Sequence, residues 1–146
     1  MIRRHLINLF LAAFIPAVAF AEQSKIFGDY TIHYSAFTTD TLSPEVAKQY
    51  QIQRSKNRAM VNISVLKNEQ GSIGKPVRAK IEGAVKNLSE QLRTLQIREV
   101  VEEDAVYYIA VSTVANLETL KYDFQITPEG EQTVYQISFQ EQFYTN

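Results

Sequence analysis

Apolar residues in this chain recur at every second position, in short runs separated by turn residues, and a period of two belongs to β-strands. Within 26–37, Tyr30, Ile32, Tyr34 and Ala36 share one face and Thr31, His33 and Ser35 the other, with a break expected near Gly28. Ala59 to Lys67 sets Val61, Ile63 and Val65 against Met60, Asn62 and Ser64. The strongest run is Ala105 to Val114, with Val106, Tyr108 and Ala110 on one side and Tyr107, Ile109 and Val111 on the other. Apolar residues on both sides predict a central strand covered on both faces, or one whose outer face is capped by another element. Leu120 to Thr127 alternates through Tyr122, Phe124 and Ile126, and Pro128-Glu129-Gly130-Glu131 turns the chain into a last strand over 132–143.

Helical signals are few. Ser43 is placed as an N-cap with Pro44 at the first helical position, which predicts a single turn of helix reaching Tyr50. From Val77 to Leu95 two periods overlap: Val77, Ala79, Ile81, Gly83 and Val85 alternate, while Ile81, Val85, Leu88, Leu92 and Leu95 repeat at helical spacing. Gly83 and the β-branched residues favour a strand over Val77–Val85, followed by a turn or short helix over Asn87–Arg93. The period of two resumes at Leu95, Ile97, Glu99 and Val101 and ends at Glu102-Glu103-Asp104. About seven strands with one or two short helical turns select an all-β fold, an antiparallel immunoglobulin-like β-sandwich, over any α/β fold. The likeness is architectural, because the chain has no Cys and no Trp to supply the landmarks of antibody domains. A small outer-membrane barrel is disfavoured, because Arg93, Lys121 and Gln136 lie in strands that would face lipid.

The first residues run Arg3-Arg4-His5, then the apolar stretch Leu6 to Ile15, then Pro16 and Ala19-Phe20-Ala21. Basic, apolar, breaker and A-x-A is the layout of a cleavable signal peptide over 1–21, leaving a single β-sandwich domain over 22–146. The apolar stretch is shorter than the roughly 20 residues that span a bilayer, and no Cys exists to carry a lipoprotein's acyl chains, so no membrane anchor is expected after cleavage. The expected address is the periplasm. Removing Arg3 and Arg4 takes Lys plus Arg from 15 to 13 against 16 Asp plus Glu, a net charge of about −3. A weakly acidic domain lacks the basic footprint of a nucleic-acid binder, and without disulfides its stability must come from an apolar core.

The chemistry-bearing residues are sparse. His33 is the one histidine after residue 21, too few for a zinc site of ordinary type, and no nucleophile elbow, phosphate loop or H-E-x-x-H sequence is present. No cofactor, metal or catalytic residue is therefore expected. Carboxylate-only hydrolysis needs no motif, so Glu99, Glu102 and Asp104 stand as the residues of an alternative reading, a carboxylate-dependent hydrolase acting on envelope glycans. Arg54, Lys56 and Arg58 alternate with polar residues and form a short basic patch suited to an anionic glycan or lipid group.

Gly28-Asp29-Tyr30, Tyr50-x-Ile52-x-Arg54-Ser55, Asn62-Ile63, Asn87-Leu88 with Gln91, and Tyr107-Tyr108, taken with the export layout, resemble a family of small exported, periplasmic proteins of Gram-negative bacteria known only as a domain of unknown function. The resemblance implies an all-β periplasmic domain and no catalytic residue. Arg54, Ser55, Asn62 and Asn87, polar residues in apolar surroundings, join Lys56 and Arg58 as candidate binding positions. The reading that follows is a non-enzymatic periplasmic binding or protein-interaction module, with an envelope protein or an anionic glycan or lipid group as partner.

Overall fold

In the computed structural model, residues 22–70 and 74–146 are described, so the signal-peptide reading of 1–21 lies outside the described residues. The strands are β1 (Gln23–Phe27), β2 (Tyr30–Thr38), β3 (Arg58–Lys67), β4 (Lys75–Pro76), β5 (Ala79–Asn87), β6 (Leu92–Arg93), β7 (Arg98–Val101), β8 (Val106–Thr113), β9 (Thr119–Pro128) and β10 (Tyr135–Gln142). They form two antiparallel sheets. One runs β1-β2-β3-β8-β7 with β4 also on β3, and the other runs β10-β9-β5-β6. The chain is an all-β sandwich, as the period of two requires.

The break near Gly28 is a hairpin turn. Gly28 has φ +56°, a value that L side chains rarely adopt, and the chain folds back so that Phe27 pairs with Tyr30. The helix is α1 (Pro44–Gln49), with the Ser43 side chain accepting from Val46 N at 3.2 Å. Over 77–95 the strand reading holds: β5 runs to Asn87, a turn follows, and no helix forms at 87–93. The helical spacing there comes from Leu88 and Leu92, which are exposed rather than on a buried face.

The sheets bury their alternating faces on each other. Ile32, Val65, Val85, Leu120, Phe124, Ile126 and Ile137 are all fully buried between them. Phe139 of β10 meets Tyr34 of β2 at 4.7 Å and Tyr122 of β9 at 4.9 Å between ring centroids, joining the layers through aromatic contact. The Phe124 ring lies across Gly83, its partner in the β5–β9 pairing, where a Cβ would come within 2.3 Å of Phe124 Cδ1. Glycine is required there for close approach, not for its backbone freedom. A polar strap also crosses the layers: the buried Tyr108 hydroxyl donates to Glu99 Oε2 at 2.8 Å and accepts from Ala79 N at 2.7 Å, while Arg78 pairs with Glu99 at 2.6 Å.

Strand β8 lies between β3 and β7 and is apolar on both faces because both are covered. A second cluster, Ile52, Met60 and Ile109 with Phe37, Leu42, Tyr50, Val100, Tyr107 and Val111 against it, sits on the outer side of the six-stranded sheet. Its cover is the connection 39–57, which carries α1.

Candidate functional site

The cover is held down by its own polar groups. Thr39, fully buried, donates through Oγ1 to the Gln53 carbonyl at 2.8 Å and accepts from Ser55 N at 2.8 Å, cross-linking the two ends of the connection. Arg54 donates from Nε to the Leu42 carbonyl at 2.8 Å and from Nη2 to the Asp40 carbonyl at 2.9 Å. Arg98 of β7 donates to the Tyr50 carbonyl. Unpaired carbonyls of an irregular segment are thus satisfied by guanidinium groups, which lets the segment lie against the apolar face without a ladder of its own.

The cover stops short of the sheet's full width and leaves a groove. Between α1 and strands β7 and β8, a cavity of about 280 Å³ is lined by Phe37, Val46, Tyr50, Met60, Val100 and Ile109, among others. Beside it a polar cavity of about 430 Å³ is lined by His33, Ser35, Ser64, Pro76 and Asp104, among others. Asn62 and Tyr107 line both. At this junction the Asn62 Oδ1 atom is buried and has no hydrogen-bond partner; Ser112 Oγ, on the inner face of β8, is also unpartnered but does not line the groove. In the polar part His33 Nδ1 stands 2.9 Å from Glu22 Oε1. An apolar trough, a polar trough and one unmet acceptor between them can bind an elongated ligand that is apolar at one end and donates hydrogen bonds in its middle.

Of the six candidate binding positions, only Asn62 lies in this groove. Arg54 and Ser55 are fasteners of the cover, and Lys56 is exposed in the turn before β3. Arg58 opens β3 and shares with Arg98 a depression of about 640 Å³ that adjoins the apolar trough at Ile52 and Ile109. Asn87 is 8% exposed and organises the turn after β5: its Oδ1 accepts from Ser89 N and Gln91 N, and its Nδ2 donates to Gln91 Oε1 at 2.8 Å. The three basic residues are therefore not gathered around one anion-sized space. Tyr107, Ile109, Val100, Phe37 and Leu42 were not among the candidates. Tyr107 and Ile109 had a signal in the two-sided apolar run 105–114, which marks a covered outer face without naming the cover; Phe37, Leu42 and Val100 had none.

The acids of the hydrolase reading are divided. Glu102 lines the apolar trough of the groove and Asp104 the polar trough, whereas Glu99 lies in the depression shared by Arg58 and Arg98. Arg78 and the Tyr108 hydroxyl hold the Glu99 carboxyl below the usual carboxylate range, which keeps it ionised and unsuited to donate a proton near neutrality. Burial pushes the Tyr108 phenol up to about 12. Glu141, inward-facing at the end of β10, has its carboxyl raised by burial. Among the described residues, no group of three or more His, Cys, Asp or Glu side chains is placed to hold a metal ion.

A family model described as Domain of unknown function (DUF4426) matches residues 24–146. The chain belongs to the DUF4426 family. A DUF4426 family protein from Pseudomonas aeruginosa PAO1, known from a crystal structure, is 32% identical with a TM-score of 0.72, covering 86% of this chain and 96% of that one. The fold is also similar to that of FetP from uropathogenic Escherichia coli strain F11, at 10% identity and a TM-score of 0.58, over 85% of this chain and 94% of FetP. A copper-bound variant of FetP matches equally well, covering 87% of this chain and 97% of that one. At 10% identity these likenesses carry the fold alone. No curated protein matches the chain. Within the DUF4426 domain, the residues of the resemblance hold the fold more than they line the groove. Gly28-Asp29 forms the first hairpin turn, Asn87 and Gln91 build another, and Tyr108 anchors the strap. Asn62 and Tyr107 are the two that open onto the groove junction.

Proposed function

We propose that this DUF4426 protein is a non-enzymatic periplasmic binding module that takes an amphipathic peptide segment of an envelope protein along the outer face of its six-stranded sheet. The observation that carries this reading is the unmet Asn62 Oδ1 at the junction of the apolar and polar troughs. A backbone N–H of an extended peptide supplies the missing donor, while an aromatic or aliphatic side chain fills the trough at Met60 and Ile109. The commitment of Glu99 to Arg78 and to the Tyr108 hydroxyl, which leaves it ionised, supports binding over hydrolysis. The periplasmic address is supported by the signal-peptide layout of 1–21, and FetP was itself expressed in the periplasm for its crystal structure.

The test is selection of short amphipathic peptides from a displayed library on the purified protein, followed by amide chemical-shift mapping. Selected peptides are expected to perturb Asn62, Tyr107 and Ile109, and to lose binding about tenfold in Asn62→Leu, which keeps the shape but removes the acceptor. Perturbations confined to another face, or affinity unchanged in Asn62→Leu, overturn the reading.

A further inference from the structure

The strand registers divide the sandwich into two unlike ends. At one end lie the turns after β1, β7 and β9; at the other lie 39–57, the turn 88–91, the connection 114–118 and the residues after β10. The first end is acidic, with Glu102, Glu103 and Asp104 in one turn and Glu129 and Glu131 in another. The second, counting 39–57 and the strand ends that reach it, carries Lys48, Arg54, Lys56, Arg58, Lys86, Arg93 and Lys121 against Asp40, Glu45, Glu90, Glu118 and Glu141. Glu90 pairs with both Lys86 and Lys121, and Glu118 pairs with Arg93 at 2.7 Å; seven cations against five acids leave this end with two positive charges in excess.

The same end carries large apolar side chains at the tips of separate segments. Leu88 is 65%, Leu92 67%, Leu117 57% and Tyr144 64% exposed. Leu117 is unfavourable twice over in the free protein, being exposed and at φ +63°, a conformation that costs a leucine energy. The turn around it is nevertheless fixed: Gln142 donates to the Leu117 carbonyl at 2.9 Å, Glu118 N donates to the Ala115 carbonyl at 3.2 Å, and Arg93 holds the Glu118 carboxylate. The backbone is pinned while the side chain is presented outward.

We propose that this end of the sandwich docks on an anionic lipid surface, with Leu88, Leu92, Leu117 and Tyr144 entering the headgroup boundary and Lys56, Lys86 and Lys121 meeting lipid phosphates. Exposed apolar side chains on several segments of one end, together with that end's excess of cations, suit a soft planar surface that accepts side chains independently. The acidic far end is repelled by the same surface and sets the orientation. This docking is independent of the peptide groove, which opens on the outer face of the six-stranded sheet.

The experiment is co-sedimentation of the chain from Glu22 onward, which contains every element of the sandwich, with vesicles of phosphatidylethanolamine containing phosphatidylglycerol, against vesicles of phosphatidylcholine. Partition onto the anionic vesicles is expected, weakened when salt is raised to about 0.5 M. Leu88→Ser and Leu117→Ser should each lower partition about fivefold, whereas Val134→Ser at the acidic end should not change it. Leu117→Gly separates docking from folding, because it relieves the backbone: its melting temperature should rise while its partition falls. The proposal is overturned if the parent protein does not partition onto anionic vesicles. It is overturned equally if the Leu88→Ser/Leu117→Ser double variant, still folded by its melting curve, partitions as well as the parent.

Discussion

The two sheets present opposite outer faces to their surroundings. On the four-stranded sheet the outward positions are Lys80, Glu82 and Lys86 of β5, Lys121, Asp123 and Gln125 of β9, and Gln136, Ser138 and Gln140 of β10. Their polar groups satisfy one another, as where Gln136 and Ser138 both donate to Asp123 Oδ1 at 2.9 and 3.2 Å. On the six-stranded sheet the outward positions include Phe37, Met60, Ile109 and Val111, and they exist under the cover of 39–57. One sheet therefore finishes against water and the other against protein, with a strip that the cover does not reach. A sheet apolar on both faces has to be given a second neighbour, and here the chain's own connection covers only part of that face.

The sharpest way to break this contrast is to place a charge on each outer face. Met60→Asp puts a carboxylate among apolar groups at a position only 5% exposed and should cost roughly 3 kcal/mol or more. Gln140→Asp, on the exposed polar face, should stay within about 0.5 kcal/mol. Urea midpoints of the two variants measure the difference; equal losses would mean that the outer cluster contributes no core. Gly83→Ala comes next, because its Cβ would meet the Phe124 ring between the layers, and a loss of about 1–3 kcal/mol is expected in the same melts.

Arg54→Ala should cost about 1 kcal/mol by freeing the Leu42 and Asp40 carbonyls. Its signature is local: amide exchange should quicken across 39–57 while β5, β9 and β10 keep their protection. Uniform quickening in both sheets would show that the cover and the sandwich unfold as one unit.

The smallest effects are slopes against pH. The Tyr108 phenol is raised by burial to about 12 from its ordinary 10, so the stability it contributes is complete below about pH 10 and is lost as pH rises toward 12. Tyr108→Phe should flatten that part of the alkaline profile. Glu141 has a raised carboxyl, so its contribution is complete below the ordinary carboxylate range and lost as pH rises through the folded value. Glu141→Gln is therefore expected to melt higher than the parent at pH 7, and a lower melting temperature there would show that the Glu141 charge is compensated in the fold.

Most of the fold was legible in the sequence because a period of two is a local property, readable without knowing what lies opposite. The Ser43-Pro44 helix start and the turns at Gly28 and 128–131 follow from single-residue backbone preferences in the same way. Of the turn or short helix expected over 87–93 the turn forms, because Leu88 and Leu92 take helical spacing without burial, and spacing alone does not say which face is buried. The groove was less legible. Asn62 was picked as a polar residue among apolar ones, and it does lie at the junction. Arg54, chosen for its charge, turned out to have its donors committed to carbonyls of its own connection. Whether a guanidinium is free for a ligand depends on long-range backbone placement, which no short pattern encodes.

The order of strands has a consequence for a chain delivered N-terminus first. β1, β2 and β3 are successive neighbours in their sheet and can zip together as soon as residue 67 is available. β5, in the other sheet, pairs with β9 across an interval that holds β6, β7 and β8, so that sheet cannot close until Pro128 has arrived. During this delay Ile32, Ile63 and Val65 have no opposing layer, and an early-folded half presents its apolar side to whatever is nearby. The asymmetry of the finished sandwich is thus also an asymmetry in time, with a vulnerable interval whose length is set by the arrival of β9.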